Sequence, residues 1–333
     1  MILWEKHGSE GALRCLLCPH LCIIRPGKRG ICGARANLDD EIQLVTAGVI
    51  SGYALDPVEK KPLYHFHPGS SILSVGSYGC NLRCDYCQNY NISQINDPGG
   101  SPALTPDKLV SRAARIAGNI GIAYTYNEPV IWFEYVESCA RLAAKEGLRN
   151  VMVSNGYIMP EPLKQMTGFI DAFNIDLKAF SDAFYRKYTG SALDPVLESV
   201  RVIAESGRHL EITTLIIPGL NDSAEEMRRE ARWIAENAGR GVPLHLSRYF
   251  PMYKRGDPAT PPETIIKLRE TAQEYLDFVY TGNIAGTDGG SDTYCPSCRE
   301  RVISRSGYNI RVNGLNDAGE CKKCGRKIAI REK

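Results

Sequence analysis

From about residue 70 to 286 short apolar runs alternate with longer amphipathic stretches. "SSILSVGSYG", "GIAYTYNEP", "NVMVSNGY", "DAFNIDLKAF", "HLEITTLIIPG", "VPLHLSRYF" and "FVYTGNIAG" read as strands, being short, β-branched or aromatic, and bounded by Gly, Pro or Asn. Between them, "TPDKLVSRAARIAG", "VIWFEYVESCARLAAKEG", "PEPLKQMTG", "DPVLESVRVIAESG", "SAEEMRREARWIAENAG" and "PPETIIKLRETAQE" carry the helical period. Thr105 is a natural N-cap before Pro106, and Gly147 closes the second helix. Repeated strand–helix alternation predicts an α/β fold with a parallel sheet and right-handed crossovers, a full or partial (β/α) barrel. Residues 1–69 lack this alternation and read as a loop-rich, cysteine-bearing module with short strands such as "EIQLVTAGVI". The Gly/Ser-rich "GTDGGSDTY" reads as a linker. The expected organisation is therefore a module at 1–69, a barrel at 70–288 and a small module at 289–333.

In β/α barrels the reactive groups gather beyond the C-terminal ends of the strands. The first expected strand runs into Cys80, the second ends at Asn127-Glu128-Pro129 and the third at Ser154-Asn155-Gly156. The fourth ends with Asp176 and Lys178, and the sixth contains His245, Ser247 and Arg248. Asp176 and Lys178, two apart, share a strand face. Inside a barrel both charges are costly unless paired or liganded, so a ligand-binding role is preferred to a solvated pair. Arg248 should point away from His245 and Ser247 on a regular strand. His65 and His67 also share a face, but nothing completes a metal site there, so a structural role is preferred.

Composition sharpens this picture through cysteine. Of twelve cysteines, eleven fall in three groups, and Cys139 stands alone in a helical stretch as an expected buried apolar side chain. The start "MILWEKHGSE" shows no signal-peptide pattern, and no apolar run approaches the roughly 20 residues that span a bilayer. The expectation is a soluble cytoplasmic protein without a membrane partner, whose cysteines bind metal rather than form disulfides. Cys295, Cys298, Cys321 and Cys324 form two Cys-x2-Cys knuckles, a strong zinc-ribbon signal, with Gly325 suited to the second turn. Cys15, Cys18, Cys22 and Cys32 contain one Cys-x2-Cys pair, so zinc and a second iron–sulfur cluster both stay open, with His20 able to replace one ligand. A second cluster would relay electrons to the first, whereas zinc would brace the module. Residues 1–35 carry six Lys/Arg against two acids and residues 295–333 ten against four, which leaves the middle at −8 beneath an overall +2. Basic termini permit an RNA partner, and they equally offset metal thiolates.

The central group, Cys80, Cys84 and Cys87, is one ligand short of a tetrahedral or cubane site. Its Cys-x3-Cys-x2-Cys spacing in "CNLRCDYC", after a first barrel strand, resembles the signature of the radical S-adenosylmethionine (SAM) superfamily. The resemblance implies that these cysteines hold three irons of a [4Fe–4S] cluster, and that SAM chelates the fourth. One electron from the cluster then splits SAM into methionine and a 5′-deoxyadenosyl radical. By the same resemblance Tyr86 packs by the adenine and Glu128 of "TYNEP" belongs to the segment that meets the SAM amino group. Asn155, Asp176 and Lys178 match ribose- and carboxylate-contacting positions of glycyl-radical-enzyme activases such as the pyruvate formate-lyase activating enzyme. His245 matches their sixth-strand histidine near SAM.

"CLLCPHLC", "GICGARAN", "DPVEKKPLYHFHPGS" and "HLSRYFPMY", with the closing knuckles, resemble the AmmeMemoRadiSam-system radical SAM proteins over nearly the whole chain. That family implies Memo-type and AMMECR-type companions and a reductant such as flavodoxin or ferredoxin. The expected function is radical modification of a substrate, protein glycyl activation-like or small-molecule, with no catalytic residue assigned. Modification of an RNA base is one alternative, and a non-enzymatic iron–sulfur or zinc-binding module is another. The ordered polar residues at the strand ends count against the latter, because a carrier needs no SAM pocket.

Overall fold

A computed structural model of the chain describes residues 2–8, 10–95, 103–284 and 290–330. Before residue 50 the strands are short and antiparallel. β1 (Trp4–Lys6), β2 (Leu13–Cys15) and β3 (Ile23–Ile24) form one sheet, and β4 (Arg35–Leu38) pairs with β5 (Glu41–Leu44). The strand expected in "EIQLVTAGVI" stops at Leu44 because the next residues turn: Ala47 N bonds Leu44 O, Val49 N bonds Thr46 O, and Gly48 takes φ +72°.

The main sheet has eight strands: β6 (Gly52–Pro57), β7 (Ser71–Gly76), β8 (Asn119–Tyr124), β9 (Arg149–Ser154), β10 (Ala172–Asp176), β11 (His209–Ile216), β12 (Leu244–Arg248) and β13 (Val279–Gly282). Their spatial order follows the sequence. β7 to β13 are parallel, and β6 adds antiparallel to β7. β6 and β13 are the two edges, so the barrel is partial. β6 falls before the boundary expected at residue 69, yet it belongs to this sheet. Its residues Tyr53 and Leu55 are exposed, which suits an edge strand.

The connections carry α1 (Tyr90–Ser93), α2 (Pro106–Arg115), α3 (Phe133–Lys145), α4 (Pro160–Thr167), α5 (Asp182–Phe184), α6 (Asp194–Glu205), α7 (Ala224–Asn237) and α8 (Pro262–Gln273). Thr105 sits at the N-cap of α2 with extended backbone, and Gly147 follows α3 with φ +72°. The strands' outer faces (Leu73, Val75, Ile122, Met152, Ile212) share one core with Leu109, Val136, Ala140 and Ile234 of the helices. Cys139 is fully buried in that layer.

The β6–β7 connection turns back into the barrel. Its Val58, Leu63 and Phe66 pack with Ala123, Val151 and, at the starts of β7 and β10, Ile72 and Ala172. This segment therefore plugs the end opposite the cysteine loop. A last small sheet, β14 (Thr293–Tyr294), β15 (Arg301–Ser306) and β16 (Asn309–Val312), covers the β13 edge. Phe278 and Tyr280 share its core with Cys295, Val302, Ile303 and Cys321. Residues 285–289, which overlap the start of the expected linker and contain the expected module boundary, lie outside the described residues. No helix among the described residues is long and apolar enough to cross a membrane.

Candidate active site and metal centres

The cysteine loop is fixed by its neighbours at the strand ends. A Cβ on Gly76 would lie 2.8 Å from the Thr125 carbonyl oxygen, so β7 and β8 leave the sheet in close contact. Asn127 then spans the loop: its Oδ1 accepts from Ser77 N at 2.9 Å and its Nδ2 donates to Gly79 O at 3.0 Å. Gly79 adopts φ +87°, and a Cβ there would overlap the Cys32 carbonyl oxygen. Beyond this turn, Leu82 N donates to Cys80 Sγ at 3.3 Å, Asn155 Nδ2 approaches the same sulfur at 3.8 Å, and Ser93 Oγ lies 3.1 Å from Cys87 Sγ. Burial pushes the Cys80 thiol well up and the Cys84 thiol up to about 11, the latter against the pull of Lys178. Free, both hold their protons at neutral pH; a bound metal displaces them. The Tyr86 hydroxyl is buried beside Cys84 without an oxygen or nitrogen partner among the described residues. Three thiols, donors aimed at sulfur and an orphaned hydroxyl fit a thiolate-held cluster.

The next strand ends contribute the polar residues expected from sequence. Glu128, between β8 and α3, is a clamp: Oε1 accepts from Val130 N at 3.0 Å and Ser154 Oγ at 2.7 Å, and Oε2 from Asn155 N at 2.8 Å. Burial pushes its carboxyl up to about 7 despite these donors. Asn155 also donates to Asn81 Oδ1 at 2.9 Å and accepts from Tyr157 N at 2.8 Å. Asp176 ends β10, and Lys178 lies just beyond the strand; Nζ meets Asp176 Oδ2 at 2.7 Å. Burial works against the Lys178 charge, but Asp176 and Cys84 outweigh it and hold the ammonium above its usual range. The expected solvated-or-liganded pair is thus a real ion pair beside the cysteine loop. Arg248 turns away, as the strand period requires, and donates to Thr260 O at 2.6 Å.

His245 points into the barrel and meets a residue that the sequence pattern hides. Glu211, on β11, is fully buried. It accepts from His245 Nε2 at 2.6 Å, His209 Nε2 at 2.8 Å, Tyr64 N at 2.9 Å and His65 N at 2.7 Å. Burial pushes the carboxyl up, yet the His209 and His245 bonds win and hold it below the usual range. Alternation on β11 was the one available signal, since His209, Glu211 and Thr213 share the inner face. His65 is structural: its Nε2 lies 2.6 Å from Tyr280 Oη, its ring packs edge-on against Phe278, and burial lowers its pKa to about 3.

The C-terminal quartet Cys295, Cys298, Cys321 and Cys324 has its sulfurs all within 4.8 Å of one another, as a single tetrahedral ion requires. The N-terminal quartet Cys15, Cys18, Cys22 and Cys32 lines one cavity together with His20, Arg35 and Asn81.

Residues 74–231 match the radical SAM superfamily. The chain carries a radical SAM superfamily domain. Across 97% of its length it is 40% identical to the uncharacterized protein MJ0808 of Methanocaldococcus jannaschii, and covers 96% of that protein. It is 23% identical over 158 residues to the pyruvate formate-lyase 1-activating enzyme of Escherichia coli K12, which is 45% of this chain and 63% of that enzyme. Among solved structures, a radical SAM methyltransferase from Sphaerobacter thermophilus shares the fold, with TM-score 0.52 and 18% identity over 66% of this chain and 68% of that one. That domain supports an enzyme that uses SAM and a [4Fe–4S] cluster.

Proposed function

We propose that the protein is a radical SAM enzyme of the AmmeMemoRadiSam type, in which Cys80, Cys84 and Cys87 hold the cluster and the ends of β8 to β10 receive SAM. When bound, the cluster and SAM together supply one-electron cleavage of the sulfonium and hydrogen abstraction from a substrate C–H bond. The observation that supports this most is the shared mouth: three thiols at the end of β7, Cys84 buried and Cys80 and Cys87 half-buried, with Glu128, Asn155, Asp176 and Lys178 at the ends of the next three strands. Lys178 places a cation beside Cys84, which offsets thiolate charge, and Asp176 keeps that ammonium in position. Glu128 ties the ends of β8 and β9 together, and Asn155 turns a donor toward Cys80. The buried walls keep water from a reactive radical. The C-terminal quartet, in our reading, holds structural zinc.

A protein glycyl or small-molecule substrate fits better than an RNA base. The RNA reading rests on the basic termini, six Lys/Arg in residues 1–35 and ten in residues 295–333, several of which are already engaged. Arg305 is spent inside the barrel contact, Arg301 on Asp292, Lys323 on Glu300 and Lys322 on Asn313 O. Anaerobically reconstituted protein with a strong reductant should release 5′-deoxyadenosine from SAM. Cys84→Ala should abolish release while leaving the circular dichroism spectrum unchanged. No release from fully loaded wild-type protein would refute the assignment.

A further inference from the structure

The N-terminal quartet has no role in the function above, and its setting differs from that of the C-terminal one. Cys15, Cys18, Cys22 and Cys32 face one cavity whose other walls include Leu17, Ile24 and Ile131. Cys18 is close enough to feel the charge of each of the other three. Yet among the described residues the C-terminal quartet is the one group of three or more ligating side chains whose ligand atoms fall within 4.8 Å of one another. The N-terminal quartet does not form such a group, and neither do Cys80, Cys84 and Cys87. A cubane cluster holds its thiolates farther apart than a single ion does.

Two further features concern what such a group would meet. Arg35 is buried against the cavity, with Nη1 and Nη2 held by Glu134, and its Nε has no partner among the described residues. N–H donors to sulfur are a means by which proteins adjust cluster potential. The quartet also abuts the central loop. The Cys32 carbonyl packs against Gly79, one residue before Cys80. His20 Nε2 lies 2.7 Å from Asn81 O, one residue after Cys80, and Asn81 lines the N-terminal cavity while Asn155 joins it to the Cys80 sulfur. On the other side Cys22 is half-buried between exposed Leu21 and Ile23, so the group reaches the surface. A zinc brace needs neither the short inner path nor the outer opening, whereas an electron relay needs both.

We infer that Cys15, Cys18, Cys22 and Cys32 hold a second iron–sulfur cluster that relays electrons to the cluster at Cys80, Cys84 and Cys87. A low-potential one-electron donor of the flavodoxin or ferredoxin class reduces the N-terminal cluster by one electron. That electron passes to the central cluster, and the N-terminal cluster returns to its oxidised state with no bond or proton transferred. The presence of the second cluster is independent of the proposed function, and only the destination of its electron rests on that reading.

The test is iron counting and electron paramagnetic resonance on anaerobically reconstituted full-length protein. Wild type should hold about eight iron atoms, and the triple variant Cys80→Ala/Cys84→Ala/Cys87→Ala about four, with a dithionite-reduced signal that SAM does not alter. The variant Cys18→Ala/Cys22→Ala should keep about four irons and the SAM-sensitive signal. Reduced flavodoxin should then reduce the central cluster at least about tenfold more slowly than in wild type, while titanium(III) citrate, a small reductant, is unaffected. Zinc without iron in the triple variant would overturn the inference. Should that variant fail to fold, about four irons in wild type would do so instead. Unchanged flavodoxin kinetics in the double variant would overturn the relay. Failure of the proposed function looks different: the triple variant keeps its iron, but wild type shows no SAM-sensitive signal.

Discussion

Two buried glutamates respond to the same desolvation in opposite directions, and their partners explain why. Glu211 collects four N–H donors, two of them imidazoles, and stays ionised below the usual range. In Glu211→Gln one oxygen becomes an amide donor facing two existing donors. The expected cost is about 3–5 kcal/mol, read as a lower urea midpoint. Glu230 on α7 accepts a hydrogen bond from Thr214 Oγ1 at 2.5 Å, and burial pushes it from 4.5 up to about 8. Its folded pKa lies above the unfolded one, so between about pH 4.5 and 8 the native state binds more protons. Stability from this group is therefore present below that window and falls as pH rises through it. Melting temperatures of wild type and Glu230→Gln should diverge across the window, with the wild type losing ground, and run parallel above pH 8. Parallel curves throughout would show that Glu230 is not protonated in the fold.

The strands and helices of the barrel were legible because each is a local pattern. Apolar runs bounded by Gly, Pro or Asn mark β7 to β13, and Thr105, Pro106 and Gly147 mark helix ends. The cysteine spacing was equally local, and so was the order of polar residues at the strand ends. What stayed hidden was set by distance. Glu211 reads as one charge in an apolar strand, because two of its donors lie 146 and 147 residues away. β6 reads as part of a loop-rich module, because only pairing with β7 gives it a sheet. The Gly79 turn shows how such contacts bind the elements together. Gly79→Ala demands a left-handed alanine and pushes Cys32 away, a cost above about 2 kcal/mol. The variant should melt earlier, and limited proteolysis should cut residues 10–50 faster. Wild-type protection there would mean that the N-terminal module does not lean on the cysteine loop.

The small C-terminal module expected at 289–333 is tied directly to the barrel. Arg305 donates to Tyr64 O at 2.7 Å and stacks over the Tyr64 ring, whose own N–H bonds Glu211, the partner of His245. Loss of the metal proposed for the C-terminal quartet should therefore reach the barrel. Arg305→Leu should leave the four-cysteine site intact, lower the single melting transition of the whole chain, raise hydrogen exchange at Tyr64 and His65, and reduce 5′-deoxyadenosine release. An unchanged barrel with a separately melting C-terminal module would show that the link carries no energy.

That bond joins positions 241 residues apart, which fixes an order of events during synthesis. A growing chain has its N-terminal and central cysteines in place while the barrel floor is still open, and the arginine that seals it follows Tyr64 by 241 residues. Metal delivery can thus precede closure. A chain cut short before Arg305 would already own its N-terminal and central thiols, yet it would leave Phe278 and Tyr280 uncovered, an adhesive face by which unfinished copies aggregate or are removed.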